Sequence, residues 1–490
     1  MRRGIARAAV ATTAGIALIT MGIAGASASR AALRSPRVMR GAGRAPQVPS
    51  SPGGQVWASR YNGSGNDVDF AESLAVSPSG ETVFVTGFSN QGTATGFDYA
   101  TVAYSAATGA QLWVKHYHGP GSGNSSDIAH SVAVSPDGGT VFVTGESAGA
   151  NKLPDYATVA YNAATGAQLW VKRYSGPGDR NDMAKSVVVS PDGGTVLVTG
   201  SSQGASGFDY ATVTYNAVSG AQLWVKRYNG PGNGDDEASA LRVSPSGGTV
   251  FVTGSSTGAT SGEDYATIAY NAATGAQQWA KRYNGHGDDS ALSVAVSPDG
   301  GTVFVTGQSD GTNLLPDYAT VAYNAATGAQ RWVKRYNGPG NSNDLAYSAA
   351  VSPDGGTVYV TGESDGTTSG SDQATIAYNA ATGARRWVKR YNGPGNDNDG
   401  AFSVAVSPSG GTVYVTGSSH GTTSSDDYAT VAYGAATGAQ LWASSYNGPG
   451  NAGDSAFSVA VSPSGGTVFV TGDSDGKTTV TDWATVAYSG

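Results

Sequence analysis

Eight tryptophans divide this chain at nearly equal intervals. Trp57, Trp113, Trp170, Trp224, Trp279, Trp332, Trp387 and Trp442 lie 53 to 57 residues apart, and only Trp483 falls out of register. A fixed period of that size restricts the fold to a stack or ring of like units, each burying its apolar face against the next. A length of 490 residues would otherwise suggest several domains, but repetition makes one large ring the simpler expectation.

Each unit contains four short runs with β-branched or aromatic residues at alternate positions, bounded by Gly, Pro, Asn, Asp or Ser, and none has a helical period. In one copy these are SVAVS from Ser131, TVFVTG from Thr140, DYATVAY from Asp155 and QLWVKRY from Gln168. Four strands per repeat make a propeller blade. SVAVS-type runs begin at Ser73, Ser131, Ser186, Ala240, Ser293, Ser348, Ser403 and Ser458, which gives eight blades. The QLWVKRY type has its first copy alone, at Gln55, before any other strand, and the chain ends just after a DYATVAY-type run. The sequence therefore predicts an all-β, eight-bladed β-propeller of four antiparallel strands per blade. Its ring is expected to close when the N-terminal strand, Gln55 to Asn62, completes the last blade.

Residues 1–51 hold eight arginines and no acid, leaving 20 basic against 36 acidic side chains in the repeats, about −16. Such a surface repels nucleic acid and anionic lipid. There is no cysteine, which excludes disulfides, thiolate metal sites and cysteine nucleophiles. Arg2, Arg3 and Arg7 before an apolar run and a small-residue site at Ala26-Ser27-Ala28 predict a signal peptide over 1–28. Residues 29–52, rich in Arg, Pro, Gly and Ser, read as a disordered basic tail, and 53–490 as the propeller. The expectation is a secreted monomer with no membrane span once the signal is removed.

Two features mimic active sites. The pattern GxSxG occurs in seven blades, beginning at Gly145, but on a strand-to-strand loop, not the strand-to-helix elbow that a hydrolase needs. His116, His118, His130, His286 and His420 share no repeat register. A stronger candidate is an aspartate in every blade: Asp69, Asp127, Asp182, Asp236, Asp289, Asp344, Asp399 and Asp454. A second series runs from Asp98 to Asp482, so two carboxylates per blade should converge on one rim. They either cap backbone N–H groups of tight loops or hold a calcium ion in each blade, which requires six to eight oxygens. No other cofactor is expected. Tyr99, Tyr156, Tyr210, Tyr265, Tyr318 and Tyr428 share the rim, as carbohydrate platforms or as rings buried between blades. The eight periodic tryptophans are expected to dock blade to blade.

The run AYNAATGAQLW, Ala160 to Trp170, resembles the tryptophan-docking motif of PQQ-like quinoprotein propellers. The longer repeat, DYAT.AYN...G.Q.W..RYNGPGN..D.A, looks like the bacterial β-propeller repeat family SBBP. The resemblance covers residues 53–490 and implies an extracellular binding or scaffolding role. Blade regularity supports this, since eight near-equal blades offer equal sites or none. A polymeric ligand such as a surface polysaccharide, or a cell-surface protein, would suit repeated weak sites. The alternative is a PQQ-dependent-type dehydrogenase or another propeller enzyme, although the chain has neither a vicinal cysteine pair nor a long insertion.

Overall fold

The computed structural model describes residues 51–92, 96–121 and 125–490; the expected signal peptide and all but the last residues of the expected tail lie outside them. Among the described residues thirty-two strands form eight four-stranded antiparallel sheets. A representative blade runs Asp127–Val134, Thr140–Ala148, Pro154–Asn162 and Gln168–Tyr174, from inner to outer strand. The last blade joins the two ends of the chain: Gln55–Tyr61 is its outer strand, paired with Thr481–Ser489 in a register that sets Tyr61 opposite Trp483. The ring is therefore closed by the N-terminal strand, as the strand count predicts. Among the described residues no helix is long and apolar enough to cross a membrane.

The core lies between blades. Phe84, Tyr99 and Trp113 of one blade pack with Val141, Val143, Val159 and Tyr161 of the next, and the pattern repeats around the ring. Each SPDGG-type turn, which joins the first and second strands of a blade, contains a glycine at positive φ, such as Gly138 at 73°, a region closed to most residues with a Cβ.

The inner strands differ from expectation. They begin four residues earlier, at the aspartate, and each carries a bulge: Ala129 pairs with Gly145 and Ser131 with Thr144, so His130 between them has no partner. Two sequence constants follow from the bulge. The glycine opposite it is obligatory, because a Cβ on Gly145 would lie 1.9 Å from the Ile128 carbonyl oxygen. The residue at the bulge is released from the pleat and re-aimed.

Candidate functional site at the inner wall and the aspartate rim

The bulge residues are Glu72, His130, Lys185, Ser239, Leu292, Tyr347, Phe402 and Phe457. They meet around the inner edge of the ring, where successive inner strands adjoin. Phe402 lies 5.5 Å from Tyr347 and 5.6 Å from Phe457, whose ring stacks on Phe70 at 5.0 Å. Across the ring, Lys185 Nζ is 3.2 Å from His130 Nε2, and Glu72 feels the charges of Lys185 and Glu146. Four consecutive bulge residues, Leu292, Tyr347, Phe402 and Phe457, are thus apolar or aromatic, three, Glu72, His130 and Lys185, are ionisable, and Ser239 lies between the two groups. A ring built from near-identical blades has an asymmetric interior. The expectation of eight near-equal blades is corrected at this column.

Burial makes the ionisable groups unusual. It raises the Glu72 carboxyl to about 7, with Lys185 opposing and Glu146 adding to the rise. It raises Asp473 to about 8, with Asp475, Asp454 and Glu72 contributing repulsion, and pulls His130 well down, helped by Lys185. A carboxyl with a raised folded-state pKa keeps its proton where the unfolded chain has lost it, so its stabilising contribution is complete below about pH 4 and is lost as pH rises through 8. Asp473→Asn is therefore expected to flatten the fall in Tm between pH 4 and 8; parallel profiles for parent and variant would show that Asp473 ionises normally.

At one end of the same strands lie the predicted aspartates. Asp69, Asp127, Asp182, Asp236, Asp289, Asp344, Asp399 and Asp454 are all buried, and each accepts a hydrogen bond from a glycine N–H of the preceding loop, for example Gly119 to Asp127 at 3.0 Å and Gly230 to Asp236 at 2.6 Å. The remaining six have the same bond, from Gly63, Gly176, Gly285, Gly338, Gly393 and Gly448. Desolvation raises Asp69 and Asp289 to about 6. The second series does converge with the first: Asp127 and Asp155 both pair with Ser147, one from each side.

What sequence reasoning missed is an arginine. Arg173 of the outer strand reaches across to this row, its Nη2 donating to Asp155 at 2.9 Å and to the Ser147 carbonyl at 2.6 Å, and its Nη1 to Ser147 Oγ and to Tyr117 OH of the preceding blade. Arg60, Arg227, Arg282, Arg335 and Arg390 repeat the arrangement with Asp482, Asp209, Asp264, Asp317 and Asp372. In six of the seven GxSxG copies the serine is thus an arginine acceptor, not a nucleophile. The signal was present in the sequence as the Arg of QLWVKRY, alternating with the inward Trp. In six blades a guanidinium already supplies the positive charge that a calcium ion would bring. In the first blade, where His116 replaces arginine, His118 Nδ1 lies 2.9 Å from Asp98 and 3.2 Å from Asp127, and this trio is close enough to hold a metal ion.

The tryptophans dock blades. Nε1 of Trp57, Trp113, Trp170, Trp224, Trp279, Trp332 and Trp387 donates to an alanine carbonyl of the following blade at 2.8–3.0 Å. Trp442 is half-buried and packs on Tyr414 and Tyr488. The six rim tyrosines are wholly internal; Tyr156 OH, for instance, donates to the Ala211 carbonyl of the next blade. Their rings are not available to a sugar.

Three overlapping stretches, 42–212, 157–364 and 269–485, match the PQQ-like family model described as outer membrane protein assembly factor BamB. No curated protein matches the chain. Among solved structures, Sqt1 of Chaetomium thermophilum bound to the N-terminus of ribosomal protein L10 is 13% identical, with TM-score 0.58 over 88% of this chain and 98% of its own. A europium-containing methanol dehydrogenase is 13% identical, with TM-score 0.53 over 84% and 89%. The quinohemoprotein alcohol dehydrogenase ADHIIG of Pseudomonas putida HK5 is 14% identical, with TM-score 0.54 over 91% and 78%. At these identities the likeness is one of fold.

Proposed function

The chain belongs to the propeller family whose model is described as outer membrane protein assembly factor BamB, and from that premise we propose that it is a secreted interaction module that holds a segment of a partner protein against its inner wall. The observation that carries this reading is the bulge column. Within the inner strands, whose aspartate and alanine recur in every blade, the bulge position varies most in chemistry, and there an aromatic arc from Tyr347 to Phe70 faces an ionisable arc from Glu72 to Lys185. Such a wall reads an extended segment by apolar contact on one side and charge on the other. Peptide binding by the Sqt1 propeller is a precedent within the same fold.

A dehydrogenase reading requires a quinone cofactor, and the residues do not fit it. PQQ is a tricarboxylate, and the groups gathered at the inner wall include Glu72, Glu146, Glu363 and Asp473; the cations Lys185 and Arg242 are outnumbered. No step is derived through that group.

Selection of a displayed random-peptide library on the full chain tests the proposal. The expected result is enrichment of peptides that combine apolar and charged residues. No enrichment, together with retention on a polysaccharide array, would replace the protein partner with a carbohydrate polymer. Calcium is expected to be dispensable: millimolar calcium should leave Tm unchanged, because arginines occupy the rim in six of the eight blades. A saturable rise in Tm would restore a rim cation site.

A further inference from the structure

The arginine cell is built eight times and filled seven. In the first blade His116 stands in for the arginine: its Nε2 is 2.6 Å from Tyr61 OH of the preceding blade, and Gln91 Nε2 donates to the rim serine, Ser89, at 2.6 Å. In the seventh blade the position is Ser445, opposite Ala429 as Arg173 is opposite Ala157. A serine is too short to cross the sheet. A cavity of about 100 Å³ remains, lined by Tyr391, Ser419, Asp427, Ala443, Ser444 and Ser445, well above the ~10–15 Å³ that a single water needs.

The lining is the acceptor set of the missing group. Tyr391 corresponds to Tyr336, which accepts from Arg390; Ser419 corresponds to Ser364, and Asp427 to Asp372. Ser419 is 4% exposed and its Oγ has no hydrogen-bond partner, whereas Ser147, Ser202, Ser256, Ser309, Ser364 and Ser474 each receive an arginine Nη1. Desolvation raises the Asp427 carboxyl, with Ser424 and His420 lowering it and Asp426 adding to the rise. A half-buried carboxylate held only by Ser424 and a buried hydroxyl that receives no guanidinium would both gain from a partner cation.

We propose that the seventh blade is a receptor for a guanidinium group supplied from outside the blade. The planar fork donates to Tyr391 OH and Ser419 and pairs with Asp427, as the arginines do in six other blades. A lysine ammonium has neither the fork nor the planarity to serve all of these acceptors. The guanidinium comes either from an arginine of a ligand or from this chain's own Arg30, Arg34, Arg37, Arg40 or Arg44. The second source is within reach, because Ser444 Oγ donates to the Gly53 carbonyl at 2.7 Å and so places the start of the ring beside the cavity.

Calorimetric titration of the full chain with N-methylguanidinium, and with methylammonium as control, tests the proposal. The same titrations are made on a variant with those five arginines changed to glutamine. One saturable site for methylguanidinium, at least tenfold weaker for methylammonium, is the expected result. Binding in both proteins assigns the cavity to an external arginine, and binding only in the glutamine variant assigns it to the tail. Ser445→Arg is expected to abolish the site and raise Tm, and Asp427→Asn to weaken binding at least tenfold should Ser445→Arg fold poorly. No saturable binding in either protein, or binding that Asp427→Asn leaves unchanged, would overturn the proposal.

Discussion

A chain lacking residues 52–62 is expected to lose most of its stability as a ring, not only one strand of one blade. That strand carries Trp57, which lies between Phe469 of the last blade and Tyr104 of the first and donates to the Ala106 carbonyl. It also carries Arg60, paired with Asp482, and Tyr61, packed on Trp483. Loss of the tryptophan alone costs ~3–5 kcal/mol, and removing Arg60 strands a buried Asp482. Against the ~5–15 kcal/mol that separates most folded proteins from unfolding, these losses leave little. The deletion also bares the edge of Thr481–Ser489, which invites association with other chains. Thermal melting and size-exclusion chromatography should show a large fall in Tm with aggregation; an unchanged Tm would mean that the ring is held without its closing strand.

Trp170→Ala should come next in size, at ~3–5 kcal/mol. Its indole packs between Phe142 of its own blade and Tyr215 of the next, at 5.7 and 6.1 Å, and its Nε1 satisfies the Ala217 carbonyl at 3.0 Å. The substitution opens a cavity and leaves that carbonyl without its donor, so two penalties act at one joint. Denaturant unfolding measures the loss. Trp442→Ala should cost less, because Trp442 is only half-buried.

The architecture was legible because strand alternation and turn chemistry are local, and eight copies repeat the message. Closure was legible from arithmetic alone, since the outer-strand type occurs once too early and the last blade lacks one. The rim was half legible. Asp127 and Asp155 do come together, but Arg173 was hidden within a strand read only for its tryptophan, and its role depends on a reach across two neighbouring strands. The bulge was not legible from alternation, because the bulge breaks it: burial alternates from Asp127 to Ser131, and then the consecutive Ser131 and Val132 are both buried. The residue four places into each inner strand nevertheless changes from Glu to His, Lys, Ser, Leu, Tyr and Phe, while the residue before it is always Ala and the one after it is Ser in all blades but one. Variation inside a constant repeat marked the wall.

The claim that this wall is the binding surface is tested most directly by the Kd of one selected peptide for the parent chain and for two variants. Phe402→Ser combined with Phe457→Ser alters the aromatic arc; Leu169→Ser alters an outer-strand side chain that is 51% exposed. The account predicts at least tenfold weaker binding by the first, with the fold retained, and no change in the second. Binding that survives loss of both phenylalanines and fails with Leu169→Ser would contradict it.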